Sequence, residues 1–232
     1  MFTESINPNH HAIQAAIVDL DGTMVDTLGD FAAALNGMLA DLDLPALAPD
    51  TIEPMIGKGT ENLLNLVLKH ALAHIPPAQA AINTAAFFDH ALDRYQHHYA
   101  AINGQFSAVY PGVVAGLQAM QQRGWKLACV TNKPIALALP LLQAKGLGGF
   151  FSLVYGGDSF ERKKPDPLPL FKACEALGTL PAHTLVVGDS STDAQAARAA
   201  GCRVLLVTYG YNHGEPVSGA DADGLLDSLA EL

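Results

Sequence analysis

The spacing of apolar residues along the chain changes twice and divides it into three stretches. The first stretch contains a short apolar run at Ile17 and Val18, which predicts a buried strand behind a loose leader of about 13 residues. In the second, helical spacing predicts helices at 27–42, 60–73 and 76–102, and no strand-like alternation occurs. In the third, from residue 105 onward, short apolar runs alternate with helical segments. We therefore predict a core domain (1–26 and 105–232) and an inserted all-helical cap domain (27–104).

The third stretch supplies the other strands of the predicted core. They are expected at residues 126–131, 151–155, 184–187 and 204–207, with helices at 111–123, 134–144, 168–177, 191–200 and, at the end, 225–229. Strands that alternate with helices pair in parallel, so the predicted fold class is α/β with a doubly wound parallel sheet. Ligands bind such sheets at the carboxyl ends of the strands, and Asp19, Thr131 and Asp189 stand at three of these ends.

Composition narrows the class of protein. Of the 232 residues, 50% are hydrophobic and 16% are charged, which provides a sizeable core and excludes disorder as a class. The net charge of −10 argues against a nucleic-acid partner. No apolar run reaches the ~18 residues of a membrane span, and the polar N-terminus does not resemble a signal peptide. We expect a cytoplasmic protein without a membrane partner, either a monomer or a homodimer. Its three scattered cysteines are expected to be small apolar residues of the core.

Two carboxylates follow the first strand. Asp19 and Asp21 are two residues apart, and because side chains alternate along an extended chain, both point to the same side. Carboxylates held this close repel each other unless a cation lies between them or one of them keeps its proton. A strand followed by an ordinary Asp-Gly turn would carry the same residues, so this pair alone does not establish a site.

Three further motifs follow in order, and together the four resemble those of a known superfamily. They are Val130-Thr-Asn-Lys-Pro134, Lys163-Lys-Pro-Asp-Pro167 and Val187-Gly-Asp-Ser-Ser-Thr-Asp193. With Asp19-Leu-Asp21, they resemble the motifs of the haloacid dehalogenase-like phosphohydrolases over essentially the whole chain. Within that superfamily the chain looks most similar to the phosphoglycolate phosphatases, because of Thr131-Asn-Lys-Pro134, Gly156-Gly-Asp158 and Thr208-Tyr-Gly-Tyr-Asn212.

The resemblance implies a Mg²⁺-dependent phosphatase whose partner is a small phosphorylated metabolite, with 2-phosphoglycolate as the expected substrate. Asp19 is then the nucleophile that forms an aspartyl-phosphate, and Asp21 is the general acid and later the base. The implied phosphoryl-binding residues are Thr131, Asn132 and Lys164. The implied Mg²⁺ ligands are Asp19, Asp21 through its backbone carbonyl, Asp189, and Asp193 directly or through water.

Several positions keep two interpretations. Lys58, in the cap loop where these enzymes often have Asn, suits a substrate carboxylate or is an exposed surface residue. Ser190 either contributes a hydroxyl to the site or does not, and Lys163 is expected to be solvated. The His70 and His74 pair has helical spacing, but we expect it to be a solvated helix face and not a metal site.

Three rival functions share the expected fold. A haloacid dehalogenase does not need the second carboxylate of the first motif, so Asp21 argues against that activity. A phosphosugar mutase has both carboxylates, and only its product distinguishes it from a phosphatase. A metabolite-binding module without activity would not need the complete set of Asp19, Asp21, Lys164 and Asp189.

Overall fold

A computed structural model of the chain describes residues 13–73 and 85–232. The predicted leader up to residue 12, the His10-His11 pair, His74 and the predicted helix start at Pro76 lie outside the described residues. The described strands are β1 (Ala15–Val18), β2 (Val25–Asp26), β3 (Ala108–Val109), β4 (Lys126–Val130), β5 (Leu153–Tyr155), β6 (Thr184–Gly188), β7 (Arg203–Val207) and β8 (Gly224–Leu226).

Six of these strands form one parallel sheet in the order β5-β4-β1-β6-β7-β8. The described helices are α1 (Leu28–Asp41), α2 (Pro49–Ile52), α3 (Thr60–Leu72), α4 (Ala85–Ile102), α5 (Val113–Gln122), α6 (Ile135–Ala144), α7 (Leu168–Leu177) and α8 (Ser191–Ala200). The predicted α/β class with a doubly wound parallel sheet and a helical insertion is confirmed.

The central strand explains why helices cover both faces of the sheet. All four residues of β1 are buried, and they alternate between two apolar clusters: Ala16 and Val18 face one, Ala15 and Ile17 the other. The first cluster contains apolar side chains of α5 and α6, and the second contains those of α7 and α8. A strand buried on both faces reads as a continuous apolar run, as this one does.

The four described cap helices, α1 to α4, have a core of their own. α1 and α4 pack along each other, and the buried side chains of α1 to α4 form a third apolar cluster, which also contains Tyr211 from the loop after β7. The cap therefore has its own apolar core and at the same time shares one aromatic side chain with the sheet domain.

The expected terminal helix at 225–229 is wrong. Gly224–Leu226 pairs in parallel with β7 as the edge strand β8, with Leu226 buried, and a short 3₁₀ turn follows at Leu229–Glu231. Leu225, Leu226 and Leu229 have helical spacing over only five residues. The unpaired edge of β7 offers backbone hydrogen bonds that so short a helix cannot match.

The two connections between the sheet domain and the cap run side by side, which the sequence analysis did not predict. β2 and β3 pair in an antiparallel ribbon of two residues each. Asp30, fully buried at the start of α1, accepts hydrogen bonds from the backbone N–H groups of Gly104 (2.8 Å) and Phe106 (2.7 Å) on the returning chain. This carboxylate fixes the outgoing and returning chain segments to each other.

Candidate active site

Three neighbouring strands bring their end residues to one edge of the sheet. Asp19 follows β1, Thr131 follows β4 and Asp189 follows β6, and β1 lies between the other two strands. In the register of the sheet, Val18 lies beside both Cys129 and Val187, so the three strands end within one residue of the same level. The convergence expected from the sequence is therefore present in the fold.

Lys164 lies at the centre of the acidic cluster. Its ammonium is 2.6 Å from Asp193 Oδ1 and 3.0 Å from Asp19 Oδ1. The side chains of Lys164 and Asp193 are 3% and 1% exposed, so little solvent screens these charges. Burial alone would lower the pKa of Lys164, but the two carboxylates raise it above its ordinary value. Lys164 therefore stays cationic and compensates part of the negative charge of the site.

Despite Lys164, the ionised forms of Asp19 and Asp189 are disfavoured in this buried cluster. Burial raises the pKa of Asp19 to about 7, with Lys164 opposing the shift and Asp193 adding to it. Burial, followed by the charges of Asp193 and Asp19, raises the pKa of Asp189 well above its ordinary value. Such shifts mark a site in which a further cation would be favourable.

The donor set of this cluster fits Mg²⁺. Carboxylate oxygens of Asp19, Asp189 and Asp193 lie within 4.8 Å of one another, and hard oxygen donors are the ligands that Mg²⁺ prefers. A Cβ on Gly22 would come within 2.2 Å of Asp189 Oδ2, so only glycine leaves room for this carboxylate. Thr23 Oγ1 and the Tyr211 N–H donate hydrogen bonds to Asp189 and hold it in place.

The two carboxylate oxygens of Asp193 have different partners. One oxygen, Oδ2, accepts hydrogen bonds from the Ser190 hydroxyl (2.7 Å) and backbone N–H (3.3 Å) at the start of α8. The other oxygen binds Lys164. Ser190 thus contributes its hydroxyl to the acidic cluster, where it orients Asp193.

Asp21 points away from this cluster. Its carboxylate accepts a hydrogen bond from Lys133 Nζ, with Oδ1 at 3.0 Å, and it is not part of the group formed by Asp19, Asp189 and Asp193. This orientation leaves only its backbone carbonyl for the metal, as the resemblance implies. Its assignment as a ligand stays a prediction.

Thr131 and Asn132 lie beside the cluster. Thr131 is buried and its hydroxyl accepts a hydrogen bond from the Lys133 N–H. The Asn132 amide donates to the carbonyls of Lys164 (2.9 Å) and of Gly57 in the cap loop (3.3 Å). The geometry therefore gives Asn132 a connecting role that the motif alone did not indicate, and phosphate binding by either residue stays a prediction.

A cavity lies between the acidic cluster and the cap. Its lining includes all seven predicted site residues, whereas the exposed Lys58 is not among the described lining residues. Apolar and aromatic side chains close the side opposite the carboxylates: Phe31, Ile56, Leu63, Tyr95, Tyr99, Leu137 and Tyr211. The site can therefore hold a small polar ligand below an apolar cover.

Two further contacts between cap and core were not predicted from the sequence. His213 joins the two domains, with Nδ1 2.8 Å from the Ile56 carbonyl and Nε2 3.2 Å from the Thr192 hydroxyl. Lys133 connects Asp21 with the cap residue Tyr99. Lys133 lies within the second motif, which was the available signal, but its partners come from distant parts of the chain.

The three cysteines are core residues, as the sequence predicted: Cys129, Cys174 and Cys202 are buried and free. Among residues 13–73 and 85–232 the possible metal cluster does not include His70, and the interpretation of the His70 and His74 pair stays a prediction. No helix within these described ranges is both long and apolar enough to cross a membrane.

Comparisons with known proteins agree with the motifs. The sequence model of the haloacid dehalogenase-like hydrolases matches residues 16–207. The chain is 43% identical to the phosphoglycolate phosphatase of Thiobacillus denitrificans, over 94% of this chain and 93% of that protein. It is 45% identical to the phosphoglycolate phosphatase of Cupriavidus necator, over 94% and 90%. A crystal structure of a predicted phosphoglycolate phosphatase from Haemophilus somnus superposes with a TM-score of 0.88, at 33% identity, over 94% of this chain and 96% of that one.

Proposed function

The chain belongs to the phosphoglycolate phosphatases of the haloacid dehalogenase-like hydrolase superfamily, and on this premise we propose that it hydrolyses 2-phosphoglycolate to glycolate and phosphate. As a member of this family it is a phosphoric monoester hydrolase. The observation that carries the proposed mechanism is the contact between Asp19 and the buried Lys164, at the end of the central strand and beside two further carboxylates.

In the first half of the proposed reaction, Asp19 attacks phosphorus and forms an aspartyl-phosphate while the bond to the glycolate oxygen breaks. Lys164, 3.0 Å from Asp19, orients the nucleophile and offsets negative charge on the transferred phosphoryl group. Asp21 gives its proton to the departing oxygen, so glycolate leaves as a neutral alcohol at that position. The Thr131 hydroxyl and the Asn132 amide are proposed to bind the phosphoryl oxygens.

In the second half, Asp21 takes a proton from water, and the water oxygen attacks phosphorus and releases phosphate from Asp19. Asp19, Asp189, Asp193 and the Asp21 backbone carbonyl are the groups proposed to hold Mg²⁺. Bound there, Mg²⁺ would supply positive charge that stabilises the phosphoryl oxygens in the transition state.

We also propose that the cap (27–104) moves against the core (1–26 and 105–232) when substrate enters. Its joints would lie at Asp26-Thr27 and Asn103-Gly104, beside the β2–β3 ribbon. Closure would exclude water from Asp19, which is necessary because a reactive acyl-phosphate must meet one water molecule in a controlled position. A disulfide that pins the joints should sharply lower turnover, and unchanged turnover would contradict this gating.

The substrate proposal is tested by phosphate release from a panel of small esters, with Mg²⁺ and with a chelator. The panel contains 2-phosphoglycolate, ethyl phosphate and glucose 1-phosphate. We expect Mg²⁺-dependent release with a clear preference for 2-phosphoglycolate. Preference for another ester would refute the substrate, and conversion of a sugar phosphate into its isomer without phosphate release would indicate a mutase.

A further inference from the structure

Lys133 is a buried cation to which the four motifs assign no role. Its side chain is 2% exposed and lines the cavity. The ammonium donates hydrogen bonds to Asp21 Oδ1 (3.0 Å) and to the Tyr99 hydroxyl, and it lies 4.9 Å and 4.5 Å from the ring centres of Phe31 and Tyr99. Burying an ammonium is costly unless it is paired, and the partners here come from both the core and the cap.

The charges around the cavity leave Lys133 available to a ligand. Among the described lining residues the cations are Lys133 and Lys164. Lys164 is bound by Asp19 and Asp193, the residues proposed for phosphoryl transfer. An ammonium has three N–H donors, and within the described residues Lys133 uses them on the Tyr99 hydroxyl and on both oxygens of Asp21, Oδ1 at 3.0 Å and Oδ2 at 3.4 Å. A negatively charged group of the substrate can therefore accept from Lys133 in place of an oxygen of Asp21.

Lys133 lies where it can contact a carboxylate on the leaving group. As the general acid, Asp21 must reach the oxygen that links phosphorus to the leaving group. In a phosphorylated 2-hydroxy acid, the carboxylate carbon is only two bonds from that oxygen, so the carboxylate must lie beside Asp21. Lys133 Nζ is 3.0 Å from Asp21. Lys58, the cap lysine that the sequence offered for this task, is exposed and outside the described lining of the cavity.

We propose that Lys133 determines the specificity of the enzyme by binding the carboxylate of a phosphorylated 2-hydroxy acid. The inference rests on the proposed phosphatase function and adds the group that recognises the leaving group. In the structure Asp21 accepts the hydrogen bonds of Lys133 that the substrate carboxylate would accept. When substrate binds, its carboxylate accepts the hydrogen bond from Lys133, and Asp21 is released to reach the leaving oxygen. An ester without a carboxylate leaves the Lys133–Asp21 pair intact and reacts slowly.

The test compares wild type and Lys133→Met with two substrates of the same shape. One is 2-phosphoglycolate, and the other is its amide, carbamoylmethyl phosphate, which lacks the negative charge. Because a hydrogen bond to a charged group is lost, Lys133→Met should lower kcat/KM for the acid by roughly 10- to 150-fold more than for the amide. Lys58→Met, which removes the same charge from an exposed position, should leave the ratio of the two kcat/KM values unchanged.

The outcomes separate this inference from the function on which it rests. If wild type hydrolyses 2-phosphoglycolate well and Lys133→Met lowers kcat/KM for acid and amide equally, Lys133 acts only through Asp21 or through packing, and the inference is wrong. If wild type does not hydrolyse the acid, the proposed function itself is wrong. Should Lys133→Met not fold, Lys133→Gln replaces it in the same comparison. In addition, the ratio of kcat/KM for the acid to kcat/KM for the amide is measured on wild type, and a ratio below about threefold overturns the inference.

Discussion

Replacing Lys164 by methionine removes a buried cation that contacts both Asp19 and Asp193. The substitution keeps most of the side-chain volume, so the dominant change is electrostatic. The ammonium lies 2.6 Å from Asp193 and 3.0 Å from Asp19, and the side chains of these two residues are 1% and 13% exposed, respectively. Removing one partner of a buried ion pair leaves an uncompensated buried charge, which costs about 3–5 kcal/mol. We expect the free energy of unfolding to fall by this amount at neutral pH in the presence of a chelator.

The loss of unfolding free energy in Lys164→Met should depend on Mg²⁺. Since the proposed Mg²⁺ site uses the same carboxylates, added Mg²⁺ should replace part of the missing positive charge and reduce the difference between Lys164→Met and wild type. Activity should not recover with stability, because the phosphoryl group still lacks its lysine; we expect kcat/KM to remain at least about 100-fold below wild type.

The assay is urea unfolding of both proteins with a chelator and with Mg²⁺, followed by circular dichroism. Lys163→Met is the matched control, because it removes the same charge one residue earlier from a side chain that lies over Gly59 of the cap. A loss below about 1 kcal/mol for Lys164→Met with chelator, or an equal loss for Lys163→Met, would refute the reasoning from a buried carboxylate cluster.

Three further predictions concern the metal site, the joint and the bridge between domains. Gly22→Ala places a Cβ 2.2 Å from Asp189 Oδ2 at a φ of +79°, so the Mg²⁺ concentration for half-maximal activity should rise about tenfold or more, and an unchanged value would contradict the assigned site. Asp30→Ala leaves two backbone N–H groups without their acceptor and should lower the free energy of unfolding by about 3 kcal/mol in urea titrations; a loss under 1 kcal/mol would show that the joint does not depend on this carboxylate. Burial, with the charge of Lys58, lowers the pKa of His213 below its ordinary value of 6.5, so the unfolded chain binds this proton more tightly and the stability it contributes is lost as the pH falls below about 6.5. The stability difference between wild type and His213→Gln should therefore be larger at pH 7 than at pH 5, and equal differences would rule out this role.

The sequence allowed prediction of those features that depend on order along the chain. Asp19, Thr131 and Asp189 each follow an apolar run, and parallel strands place their carboxyl ends at one edge, so their convergence could be anticipated. The helices α7 and α8 also have the bounds that apolar spacing predicted. Local pattern was sufficient because these elements are long enough to show their periodicity.

Features that depend on distant partners could not be predicted in the same way. Lys133 contacts Asp21, 112 positions away, and a cap helix, and nothing in the second motif indicates either contact. Lys58 was a candidate for substrate binding because it is a charged residue in a cap loop. Whether such a residue faces the cavity or the solvent depends on tertiary structure, and Lys58 is exposed. The edge strand β8 was mistaken for a helix because three leucines over five residues fit helical spacing, while the pairing with β7 that decides the outcome is not local.

The most direct test of the central claim is a rapid-quench experiment with radiolabelled 2-phosphoglycolate and Mg²⁺ on wild type and Asp19→Asn. We predict that wild type becomes labelled on Asp19 and loses the label as phosphate appears, and that Asp19→Asn shows neither label nor phosphate. Phosphate release by wild type without a labelled protein at any time, or continued release by Asp19→Asn, would contradict the assignment of Asp19 as the nucleophile.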